Sequence, residues 1–251
     1  MKAFISLLLI SLLIVSCGKD DPQVTPKGEV KFIFDFLMNG EPLELNTKNY
    51  TNANGDIFQV NEFKFYLSNL KLKANEALFE EAESYHLINR GADSNQFSFT
   101  VKNVPKENYT HLEFGIGVDP TKNHSLDNTG DLDPSNNMAW DWNTGYKFVL
   151  LEGKFFPPDS EARGLIYHIG TDENYKEVTL ALQHSSQNAP LFSEASTSAT
   201  VRIEVELSQM FEAPNVMNFA DNNVVMMGEV SQKVVENYTQ GMLKVVSVEV
   251  R

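Results

Sequence analysis

Along most of its length the chain alternates apolar and polar residues with a period of two. Val30, Phe32, Phe34 and Phe36 are interleaved with Lys31, Ile33 and Asp35, mostly the pattern of a strand with one buried face. Comparable runs recur at residues 63–67, 97–101, 112–118, 146–151, 165–169, 178–182, 201–207 and 245–250, separated by Gly, Pro, Asn and Asp. Many short strands with turn residues between them predict an all-β fold, an antiparallel β-sandwich. Only the stretch from Ser208 to about Gln240 reads as partly helical. Ser208 is placed to cap a helix holding Met210 and Phe211, and Val230, Val234 and Tyr238 share one helix face. The chain has no internal repeat.

The N-terminus follows a different pattern. Lys2 is followed by a leucine-rich stretch over residues 4–15, shorter than the ~20 apolar residues that span a bilayer. It closes on Ile14-Val15-Ser16-Cys17. Residues 1–16 therefore read as a lipoprotein signal peptide and Cys17 as the lipidated residue. Residues 17–28, polar and holding Pro22 and Pro26, read as a tether, and residues 29–251 as one domain. Lys19-Asp20-Asp21 resembles the export signal of Bacteroidetes surface lipoproteins. The expected location is the outer membrane, lipid-anchored at the cell surface, with a periplasm-facing arrangement as the alternative.

Composition narrows the chemistry. Without residues 1–16, which include Lys2, the chain keeps 19 of its 20 basic residues against 34 acidic ones, a formal charge of −15. Such a surface repels a phosphate backbone, so no nucleic-acid partner is expected. With Cys17 lipidated, no thiol remains for a disulfide, a thiolate metal site or thiol catalysis. No nucleophile elbow, H-E-x-x-H motif or phosphate loop is present, so no enzymatic activity is expected.

The chemistry concentrates between Gly117 and Gly153, where a long polar loop leads into both tryptophans and then a strand. A loop this long is functional or disordered. Met138, Trp140 and Trp142 argue for an ordered one, and in an extended stretch the two tryptophans share a face. Asp119, Asp127, Asp131, Asp133 and Asn136 are hard oxygen donors that would suit a structural Ca²⁺. The EF-hand-like start at Asp131-x-Asp133 is broken by Pro134, and solvated Asn/Asp turns are the simpler reading.

Five blocks carry a family resemblance: Phe65-Tyr66-Leu67-Ser68-Asn69-Leu70; Phe114-Gly115-Ile116-Gly117-Val118 with Asn123-His124; Leu132-Asp133-Pro134; Met138-Ala139-Trp140-Asp141-Trp142-Asn143-Thr144-Gly145-Tyr146-Lys147-Phe148; and Tyr167-His168-Ile169-Gly170. In this order the chain resembles the MbnP-like family of copper-binding periplasmic and surface proteins. The resemblance implies a β-sandwich that holds copper through histidine nitrogens and a kynurenine made from tryptophan, with the oxidation assigned to a di-haem cytochrome c peroxidase-like partner. It implies His124 and His168 as metal ligands and Trp140 or Trp142 as the modified residue. Some relatives carry a histidine two residues after the modified tryptophan, where this chain has Trp142 after Trp140.

Imidazole suits copper, and an aromatic amine is a better donor than indole. Each residue also has a plainer reading: Trp140 and Trp142 as core or edge caps, His168 as a structural histidine, His124 as a solvated one. His86, His111 and His184 have no motif support, and Met217, Met226 and Met227 read as core filler rather than soft ligands. The alternative function is a non-catalytic carbohydrate- or protein-binding module that uses the tryptophan rings as a platform.

Overall fold

The computed structural model describes residues 25–74, 77–140, 144–182, 191–192 and 196–251. The expected signal peptide, Cys17, nearly all of the expected tether and Trp142 lie outside the described residues. Fourteen strands are described: β1 (Lys27–Met38), β2 (Glu41–Pro42), β3 (Tyr50–Thr51), β4 (Ile57–Ala74), β5 (Ala77–Glu80), β6 (Tyr85–Asn89), β7 (Gln96–Pro105), β8 (His111–Ile116), β9 (Lys147–Phe156), β10 (Arg163–Gly170), β11 (Lys176–Ala181), β12 (Ser198–Glu206), β13 (Val224–Val225) and β14 (Leu243–Val250). The α-helices are α1 (Pro120–Asn123), α2 (Gln209–Glu212) and α3 (Glu229–Gly241).

The strands form two sheets. The five-stranded sheet runs β14-β12-β1-β2 with β7 also on β1, and the nine-stranded one runs β11-β8-β4-β9-β10-β13 with β3, β5 and β6 also on β4. Every apolar run of the sequence lies on a strand, and the all-β expectation with a C-terminal helix holds. Strand direction departs from it at two pairings, because β1 runs parallel to β12 and β10 parallel to β13. Alternation reports which face is buried and is blind to direction. The long chain between β1 and β12 leaves room for the crossover that a parallel pair requires.

The inward faces of both sheets meet in one core. Val30, Phe32, Phe34 and Phe36 of β1 are fully buried there with Phe63, Phe65 and Leu67 of β4 and Val201, Ile203 and Val205 of β12. Each such side chain contributes about 1.5–3 kcal/mol of burial. Phe211 of α2 closes the core, meeting Phe58, Tyr167 and Phe219 edge to face at 5.6, 5.5 and 5.0 Å. Val234 and Tyr238 of α3 are buried and Val230 packs against them, as their spacing predicts. Ser208 precedes α2, but its backbone is already helical and its side chain makes no capping bond.

A second, smaller core lies on the outer face of the nine-stranded sheet. Lys147 through Leu151 of β9 are buried at five successive positions. Val149 and Leu151 enter the main core, while Phe148 and Leu150 join Tyr66, Val118, Leu132, Met138 and Tyr146 in the second. Val118, Leu132 and Met138 come from the long loop, which folds back over the sheet. Tyrosine hydroxyls pin it there: Tyr66 donates to the Asp131 carbonyl at 2.8 Å and Tyr146 to that of Leu132 at 2.7 Å.

Two buried tyrosines offer a contrast. The Tyr146 hydroxyl also accepts from the Asn128 amide at 3.0 Å, whereas that of Tyr238 has no hydrogen-bond partner. Tyr146→Phe is expected to cost about 1–3 kcal/mol by orphaning its partners, and Tyr238→Phe to be neutral or stabilising. Urea unfolding of both variants checks this, and equal losses would contradict it.

Candidate metal centre

The period of two in β10 decides where its histidine points. Tyr167 and Ile169 are buried in the main core, so His168 projects from the opposite face, where the loop covers the sheet. Its register partner on β9 is Leu150 of the second core. Two residues further along the same face of β9, Glu152 places a carboxylate oxygen 2.8 Å from His168 Nε2. The His168 side chain keeps only 13% of its exposure. Burial first, then the nearby Lys147 ammonium, lower its proton affinity, and the Glu152 hydrogen bond opposes them without winning. The imidazole is therefore held toward its neutral, ligand-competent form.

Trp140 closes over this histidine. Its ring centroid lies 6.2 Å from that of His168 at a 59° tilt, and the residue is 6% exposed. Backbone bonds hold the segment in a narrow hairpin: Trp140 N donates to Gly145 O at 3.0 Å and Lys147 N to Met138 O. Gly145 turns the chain with φ +126°. Gly170 lets the indole approach the sheet, since a Cβ there would stand 2.9 Å from Trp140 Cζ2 and 2.5 Å from the Tyr146 carbonyl.

His124 follows α1 and lines a cleft of about 290 Å³ together with Trp140, Thr144, Thr171 and Asp172. Its Nε2 is 2.7 Å from an Asp172 carboxylate oxygen, and its side chain is 63% exposed. The other Asp172 oxygen accepts from Asn123 Nδ2 at 2.8 Å, and Asn123 Oδ1 accepts from Tyr146 N at 2.9 Å. Burial works to raise the Asp172 carboxyl, but hydrogen bonds from Asn123 and His124 hold it below the usual range.

Both sequence-derived histidines thus border Trp140, one in ring contact and one across a shared cleft. Each is paired through Nε2 with a carboxylate, leaving Nδ1 for a ligand. Imidazoles so oriented are the usual outer arrangement of a metal site. The donor set fits copper in kind. Among the described residues no three His, Cys, Asp or Glu side chains converge to hold an ion. A third donor would come from a modified tryptophan. Sequence reasoning missed Glu152 and Asp172: Glu152 needs the β9–β10 register, and Asp172 lies beyond a turn at Thr171 with φ +75°.

The loop acids serve the loop. Asp119 caps α1 and accepts from Tyr85 and Asn69, Asp131 accepts from Leu87 N at 2.8 Å, and Asp133 accepts from Ser135 N at 2.8 Å. Met217 is core as expected, while Met227 is exposed.

The comparison with protein families now bears on this arrangement: the model of the MbnP family matches residues 27–227. The chain belongs to the MbnP family. That match spans β1 through β13 and so contains Trp140 and both histidines. Among solved structures, MbnP from Methylosinus trichosporium is similar in fold, with a TM-score of 0.50, 17% identity and 82% of each chain covered. No curated protein matches the chain.

The depressed proton affinity of His168 has a thermodynamic consequence. The unfolded chain binds this proton more tightly than the MbnP fold does, so stability is present above the ordinary histidine value of ~6.5 and is lost as pH falls below it. Between about pH 7.5 and about pH 5.5, the wild type should lose more unfolding free energy than His168→Gln. Equal losses in urea titrations would contradict the burial of a neutral His168.

Proposed function

We propose that this MbnP-family chain is a non-catalytic copper-binding lipoprotein, anchored through Cys17 to the outer membrane and facing the cell surface. His168 and His124 supply nitrogen ligands through Nδ1, and Glu152 and Asp172 orient them. Trp140 is the favoured residue for oxidation to kynurenine, with Trp142 the other candidate. Copper is cargo here rather than a reagent. The observation that carries the reading is the ring contact between buried Trp140 and His168 beside the cleft that His124 lines.

Oxidation gives the tryptophan a reason to be there. Cleavage of the indole C2–C3 bond leaves the ring nitrogen as an aromatic amine, a donor that indole does not offer, and hydrolysis releases C2 as formate. Peroxide handled by a di-haem peroxidase-like partner supplies the oxygen and takes the electrons. The alternative, a surface module stacking sugars on an exposed ring, is poorly served by Trp140 at 6% exposure.

Protein isolated from its native host should carry copper. The peptide over residues 138–147 should be heavier than its sequence by one oxygen less one carbon. His168→Ala should abolish tight copper binding, while Glu152→Gln and Asp172→Asn should each weaken it roughly 10–100-fold, as removal of an orienting carboxylate does. Two unmodified tryptophans with no copper bound would overturn the reading.

A further inference from the structure

Lys147 is the charge at this centre that no fold requirement explains. It is 6% exposed at the start of β9, opposite Gly170 of β10. Its Nζ donates to the Asn137 carbonyl at 3.1 Å and stands 6.0 Å from the Trp140 ring centroid. Among the described residues no carboxylate pairs with it, although other lysines of the sheet are paired, as Lys64 is with Glu62 and Lys73 with Glu113. A buried ammonium without a counter-ion is costly, and an apolar side chain at the start of the strand would pack there without that cost.

The donors of the centre leave selectivity unresolved. Carboxylate-oriented imidazoles suit Zn²⁺ and Ni²⁺ as well as copper, so ligand type alone does not exclude the commoner divalent ions. Charge does. The repulsion between a fixed ammonium and a bound cation is proportional to the cation's charge, twice as large for a divalent as for a monovalent ion, and it is little screened in a buried site.

We propose that Lys147 is a specificity-determining residue whose buried, carboxylate-free ammonium beside Trp140 excludes divalent cations and reserves the centre for a monovalent soft ion. This rests on the copper reading above. Its test is metal affinity of the full chain purified in detergent, measured for Zn(II), Ni(II) and Cu(I) by competition with chelators of known affinity.

Wild-type protein should bind Cu(I) far more tightly than Zn(II). Lys147→Met and Lys147→Gln, checked for native near-UV circular dichroism, should tighten Zn(II) and Ni(II) by ~10-fold or more and Cu(I) by a smaller factor. Lys147→Arg keeps the charge and should keep the wild-type ratio. Unchanged Zn(II) affinity in folded neutral variants would overturn the role of Lys147 while leaving copper binding intact. Equal wild-type affinities for Zn(II) and Cu(I) would overturn it without any variant. A wild-type protein that takes up no copper would overturn both readings.

Discussion

One constraint organises this molecule: β9 is apolar on both faces. A strand in a sandwich ordinarily buries one face and wets the other, but residues 147–151 are buried throughout. Val149 and Leu151 are covered by the opposing sheet, while Phe148 and Leu150 need a second cover. The chain supplies it from the loop that precedes β9, whose Val118, Leu132 and Met138 pack down on the outer face and whose backbone is held by Tyr66 and Tyr146. The loop is ordered because the sheet beneath it would otherwise expose large apolar side chains to water.

The candidate centre follows from that cover. Once the loop lies over β9, the hairpin that returns to the strand brings Trp140 against the outer face of β10, where the alternation of the strand has already placed His168. Gly170 makes the close approach possible. The same fold brings α1 beside the turn after β10, so that His124 meets Asp172. The groups that would hold a metal are therefore fixed by packing, and two carboxylates and an ammonium tune them.

Much of the fold was legible in the sequence, because the period of two marks the strands and their buried faces directly. The helix carrying Val230, Val234 and Tyr238 was legible for the same reason. Strand direction was not, since alternation looks the same in parallel and antiparallel pairs. His124, His168 and Trp140 could be singled out from motif blocks, but Glu152 and Asp172 belong to the centre through register and a turn, which leave no local signature. Lys147 stands inside a quoted block and was passed over: from sequence a lysine at the start of a strand reads as solvated, and only the overlying loop buries it. The absence of alternation over 146–151 was the available sign that a second cover was needed.

The central claim is that the loop and β10 together form a copper centre beside Trp140. It is tested most directly by anomalous diffraction at the copper edge from crystals of the copper-loaded full chain. The account predicts a peak within bonding distance of nitrogens of both His168 and His124, next to the ring derived from Trp140. A peak bound elsewhere on the surface, or an undisturbed pair of carboxylate-bonded histidines with no peak between them, would contradict it.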